Sequence, residues 1–305
     1  MNKRAKRSLK EFHTASMHRM ADANTKDAPT EPLFHYTSEQ ALFSIIKQEL
    51  LYFTSVFHMD DDEELSFGFG VSRALLKARI IKGQAITNVF LKPLAEGDDL
   101  EKIKELFCFY SVSFGQRNDP DQWARYGDSG RGVAVGFRPP FFGIEVKDSY
   151  EPDEMIYLGK VAYGEAAAER RHETVIDEAL KTFRNAFQQG WLLKENDEID
   201  FMRDLGASMY VEILWNAVNT KTDKWSAQRE TRLLAVNNLK KPQRKIHNAP
   251  LRPRLELPQP KLKANIAEII VGPQADSAAE ERITEFLHVQ NLANVPIIRA
   301  VHKRH

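Results

Sequence analysis

The sequence predicts an α+β fold: a mixed central sheet interrupted by a helical insertion. Strand-like runs open, punctuate and close the chain, at 33–37, 107–114, 133–137, 266–271 and 295–301. The longest helix-forming stretch, about 165–220, lies between strands instead of alternating with them one for one, a segregated order that argues for α+β. No G-x-G-x-x-G follows the first strand, so a doubly wound dinucleotide-binding fold is not expected.

Residues 1–31 are polar and charged, with Lys3, Arg4, Lys6, Arg7 and Lys10 but no sustained apolar period. They are expected as a flexible basic extension, with 32–305 forming a single domain. Order is expected from the strand 33–37. Thr37 and Gln40 fit a T-x-x-Q capping box, and Ala41, Leu42, Ile45, Ile46 and Leu50 follow at helical spacing. A strand at 51–55 comes next. The acidic cluster Asp60–Glu64 then precedes a helix to about Ile80, where acidic residues suit the positive end of the dipole.

Residues 107–114 read as a buried strand, followed by a glycine-rich turn and the strand 133–137, which Pro139 and Pro140 end. A strand-like run covers 155–163. Ala, Leu, Glu and Arg dominate the helical middle, with a break near Gly190, and a strand returns at 228–236. The proline-bearing basic stretch 240–263 looks too irregular for a regular element. The end reads strand 266–271, helix 278–292, strand 295–301.

Bulk properties narrow the function classes. With 42% hydrophobic and 28% charged residues, a chain of 305 residues can bury a sizeable core. Lys+Arg and Asp+Glu are 43 each, so no global field draws the protein to nucleic acid or membrane. Cys108, the one cysteine, excludes an intrachain disulfide and a multi-cysteine zinc site, and is expected to be buried and inert. No window approaches the roughly 18 apolar residues of a membrane span. A soluble protein of the reducing cytoplasm is expected.

Three segments carry residue types that a core alone does not explain. Along 34–38 strand alternation puts His35 and Thr37 on one face beside a helix N-terminus, suited to ribose hydroxyls or an anion; a structural histidine beside a cap is the alternative. Within 122–132, Trp123, Arg125, Tyr126 and three glycines suit a loop approaching a flat ligand, with Tyr126 or Trp123 stacking on a ring; aromatics that plug the core are the alternative. In 225–234, Gln228, Glu230 and Arg232 share one face of the expected strand. There Glu230 is either an oriented functional carboxylate or half of a structural ion pair with Arg232 or Arg125.

These segments resemble a bacterial family catalogued as domain of unknown function 2971. The blocks are His35–Ser38; Met59–Glu64, with Asp60 where the pattern has asparagine; Trp123, Tyr126 and Gly132; and Lys221, Trp225, Gln228, Glu230 and Arg232, with Gln228 in place of the usual glutamate. The layout is also similar to that of ADP-ribosyltransferases. That similarity implies ADP-ribosyl transfer or NAD cleavage, with NAD as substrate and no metal, His35 holding its ribose, Tyr126 stacking on nicotinamide, Glu230 stabilising the departing sugar and Gln228 facing the acceptor. It further implies a role as a toxin or in phage defence. Two other readings stand beside it. One is a metal-dependent nuclease using Asp60, Asp61, Glu64 and Glu230. The other is a nucleotide- or nucleic-acid-binding sensor whose basic segment 240–254 meets phosphate.

Overall fold

A uniformly apolar strand is buried on both faces, and one such strand lies at the centre of the first sheet. The computed structural model describes residues 1–58, 62–82, 85–96, 107–143, 156–238, 246–248, 253–259 and 261–301. β4 (Val133–Phe137), fully buried, lies between β1 (Leu33–Thr37) and β11 (Ile266–Val271), and β12 (Ile297–Arg299) completes the order β1–β4–β11–β12. β11 and β12 are parallel and joined through helix α8 (Ala279–Val289), as a parallel crossover requires.

A six-stranded sheet runs β5 (Ile156–Lys160), β8 (Thr231–Asn238), β3 (Phe107–Phe114), β2 (Leu50–Ser55), β10 (Pro253–Pro258), β9 (Ile246–Asn248), with antiparallel neighbours. Strands β6 (Ala162–Tyr163) and β7 (Thr220–Lys221) form a short parallel pair. Phe53, Tyr110, Val112, Leu233 and Leu255 on one face share a core with Val133, Val135, Phe137 and Ile269 of the first sheet. Helix α2 (Glu39–Gln48) and α8 close that core with Leu42, Ile46, Ile283 and Leu287.

The opposite face is divided. Phe109, Tyr157 and Leu234 lie under a helical layer made of α1 (Lys3–Lys26), α3 (Asp62–Lys82), α4 (Ala85–Glu96), α6 (Glu165–Gln188) and α7 (Glu195–Val218). Arg254, Thr54 and Ser111 stand opposite one another across β10, β2 and β3, so they share that face, and all three line a cavity. The α+β expectation and the helical insertion correspond to these elements, with α6 and α7 meeting near Gly190.

Three expectations are corrected. Residues 1–31 are not a flexible arm: Asn2 caps α1, whose residues Phe12, Met17, Met20 and Ala21 are buried against the other helices. Arg19 clamps both oxygens of Glu212 at 2.8 and 2.7 Å, and Asn24 accepts from the Leu158 amide of β5 at 2.6 Å. The stretch 240–263 holds β9 and β10, because Pro253 and Pro258 fall at the two ends of a strand whose Leu255 and Leu257 alternate into the core. The strand expected at 228–236 begins at Thr231, since Arg229 adopts φ 42° and breaks the alternation.

Asp60, Asp61 and residues 240–245 lie outside the described residues, as do the side chains of Glu64 and Cys108. Among the described residues no helix is long and apolar enough to cross a membrane.

The docking of α1 is testable. Phe12→Ala should lower unfolding free energy by about 3 kcal/mol, the usual cost of emptying an aromatic core site, measured by urea denaturation. A change below about 0.5 kcal/mol, typical of an exposed position, would mean that the helix does not pack.

Candidate functional site

The first wall of the cavity is built where β1 passes into α2. The N-cap is Ser38, in extended conformation, with its Oγ accepting from the Ala41 amide at 3.2 Å; the cap falls one residue after the expected Thr37. That leaves the hydroxyl of Thr37, with His35 two residues earlier on the same face, in the cavity lining. The His35 Nδ1 lies 3.1 Å from the Ser113 carbonyl. A carbonyl can only accept, so Nδ1–H donates and Nε2 keeps its lone pair. Burial pushes the His35 pKa below its usual value and so favours the neutral ring, partly opposed by that hydrogen bond.

The second wall is the short helix α5 (Pro120–Arg125). Asp119 caps it, accepting from the amides of Asp121 and Gln122 at 2.9 and 3.2 Å, and Pro120 supplies a first position that needs no amide donor. Tyr36 holds the approach, donating to the Gln116 carbonyl at 2.5 Å and accepting from the Asp119 amide at 2.8 Å. One face of α5 turns Trp123 inward, where it meets Tyr36 edge-on at 4.9 Å and donates to Asn118. Gln122, Arg125 and Tyr126 line the cavity.

Two of the glycines that follow are required by the chain itself. A Cβ on Gly127 would fall 2.4 Å from the Trp123 ring, and one on Gly132 would fall 2.1 Å from the Thr37 carbonyl.

Behind the cavity lies a buried ionic cluster. Arg232 stands opposite Ser113 in the sheet, with Gly159 on its other side. Its Nε and Nη2 donate to the two Glu230 oxygens at 2.7 and 3.1 Å, and its Nη1 reaches the Val218 carbonyl at the C-terminal end of α7. Lys221 contacts the same carboxylate at 2.7 Å and donates to Gln228 Oε1 at 3.0 Å. Ser113 Oγ donates to Glu230 as well. Burial by itself would raise the Glu230 pKa, but Arg232 and then Lys221 outweigh it and bring it to about 2.

The structure therefore brings together four of the eight residues singled out from the sequence. His35, Thr37, Arg125 and Tyr126 line one cavity of about 670 Å³. Trp123 belongs to a small core with Phe34 and Tyr36. Gln228, Glu230 and Arg232 sit in the ionic cluster, each at most 1% exposed, and none of them lines the cavity. Gln228 ends a 3-10 turn, so it shares no strand face with Glu230. Arg125 pairs with the Trp225 ring, its guanidinium 3.9 Å from the centroid.

Sequence reasoning missed Ser111 and Ser113. The serines left a signal, since both occupy one parity of an otherwise apolar strand; Arg254 was absorbed into the basic stretch.

Taken together, the chain is an α+β protein with a polar cavity at the junction of its two sheets. Residues 122–233 match the family model described as "Protein of unknown function (DUF2971)", the family whose blocks the sequence resembles. The match includes Gln122, Arg125 and Tyr126 of the second wall and Lys221, Gln228, Glu230 and Arg232 of the ionic cluster, but not Ser113. No curated protein and no solved structure matches the chain.

The cluster sets an acid limit on stability. The Glu230 pKa is lowered from 4.5 to about 2 on folding, so its contribution is complete above pH 4.5 and is lost as pH falls toward 2. Glu230→Gln should cost about 3–5 kcal/mol at neutral pH by leaving buried cations uncompensated, and should flatten that acid limb. A variant as stable as the parent at pH 7 would contradict the assignment.

Proposed function

We propose that the protein binds a nucleotide in this cavity, with NAD the first to be tested. The observation that carries the reading is the convergence of His35, Thr37, Arg125 and Tyr126, from separate segments, on one cavity of about 670 Å³. That size is ordinary for a small-molecule site. Its lining, among the described residues, holds two arginines (Arg125 and Arg254) and no carboxylate. Guanidinium groups and the N-terminus of α2 suit phosphate oxygens. The acidic residue in that first turn, Glu39, is bound by Arg282 at 2.7 and 2.6 Å. Tyr126, 38% exposed, offers a ring face for a base.

Transfer of ADP-ribose is a second reading, favoured by the shared cavity of His35 and Tyr126. It needs a carboxylate that touches the departing sugar, whereas Glu230 already meets Arg232, Lys221 and Ser113. Binding without transfer therefore fits the geometry better, with Glu230 as scaffold. A cytoplasmic location, where nucleotides are abundant, belongs to this proposal, as does a part in phage defence.

A thermal-shift titration tests it. NAD at about 100 times Kd should stabilise the protein by about 2.7 kcal/mol through mass action. Arg254→Ala should weaken binding about tenfold or more, the value of a charged hydrogen bond. No shift at millimolar NAD, ADP or AMP would end the nucleotide reading.

A further inference from the structure

We propose that Gln122 and His35 form a donor–acceptor pair that reads an amino group beside an acceptor atom on the ligand's ring system. The proposal rests on the nucleotide reading and names the chemistry that the cavity would select. Gln122 is 2% exposed, lines the cavity, and its Nε2 has no hydrogen-bond partner among the described residues. Buried amide donors are seldom left unpaired, so a ligand acceptor is the natural complement.

The two side chains stand at the same end of β3. A Cβ placed on Gly115 would lie 2.8 Å from Gln122 Cγ, so the glutamine lies directly on that glycine. Gly115 exchanges backbone hydrogen bonds of 3.0 and 2.8 Å with Phe34, the residue before His35. Ser113, two positions earlier, holds His35 Nδ1 at 3.1 Å. The histidine therefore keeps Nε2 as an acceptor, Gln122 holds an enclosed and unpaired Nε2–H donor, and both residues line one cavity. Their complement is a planar group with an amino donor next to an acceptor. Two parts of common nucleotides have it: the carboxamide of a nicotinamide ring, and the 6-amino group beside N1 of adenine. A site built to pair such groups rejects analogues that lack them, because its own polar atoms then stay unpaired.

Calorimetric titration of the full chain with two ligand pairs tests the assignment. The first pair is nicotinamide mononucleotide and nicotinate mononucleotide, which replaces the amide by a carboxylate. The second is AMP and purine riboside 5′-monophosphate, which lacks the amino group. The wild type should prefer the amino-bearing member of one pair by about tenfold, the worth of one such hydrogen bond, and the pair that shows the preference identifies the ligand group. His35→Phe, which removes the atom that accepts from the amino group, should erase the preference, whereas Gln122→Leu and the length-preserving Gln122→Met should weaken both members about tenfold and keep it, because both members retain the acceptor that Gln122 meets. Binding without preference in either pair, a preference that survives His35→Phe, or affinities unchanged in both Gln122 variants would overturn the edge assignment and leave nucleotide binding standing. Binding of none of the four would overturn both.

Discussion

The pairing of Glu230 with Arg232 and Lys221 is the interaction on which the rest of the structure depends. It lies where the helical layer gives way to the cavity, and it gathers elements that are remote in sequence. Arg232 ties β8 to the end of α7 through the Val218 carbonyl, and Lys221 ties the residues after α7 to Gln228 and Glu230. Ser113 carries the connection into β3, donating its hydroxyl to Glu230 while its carbonyl fixes His35. Charges taken this far out of water persist only when paired and hydrogen-bonded, so the cluster imposes one arrangement on all these segments. The orientation of His35 is thereby linked, through one serine, to a carboxylate that does not itself reach the cavity.

This division of labour separates scaffold from site. The floor of the cavity is the polar part of a sheet face whose apolar part is covered by helices; Tyr52, Thr54, Ser111, Ser113 and Arg254 supply it. The two walls are short structures pinned by local hydrogen bonds: the Ser38 cap on one side, and the Tyr36–Asp119 contacts on the other. Rigid elements thus position polar groups that a polar ligand can use, and the covering helices, α1 included, give the sheet its other surface.

Much of the fold was legible in the sequence where burial alone decides the outcome. β1, β3, β4 and β11 have the expected bounds, because each is an apolar or alternating run bounded by turn residues. α1 was not legible: its buried positions are spaced among lysines and arginines whose outward face dominates the composition. β10 was hidden by its terminal prolines. The site was half legible for a related reason. His35, Thr37, Arg125 and Tyr126 announce themselves by residue type, whereas the role of Glu230 depends on Ser113, remote in sequence, and on Lys221, which is near in sequence but meets it only across the intervening 3-10 turn. An acidic residue between an amide and a guanidinium reads equally well as reagent or as anchor until those partners are known.

Amide hydrogen exchange with and without NAD tests the central claim most directly, because it locates the ligand without altering the protein. Protection should rise in the segments that wall the cavity, 36–42 and 122–127, and remain unchanged at 228–234, where the ionic cluster is already complete. Protection centred on 228–234 instead, or no change anywhere at saturating NAD, would contradict an account in which Glu230 is the scaffold and the cavity is the site.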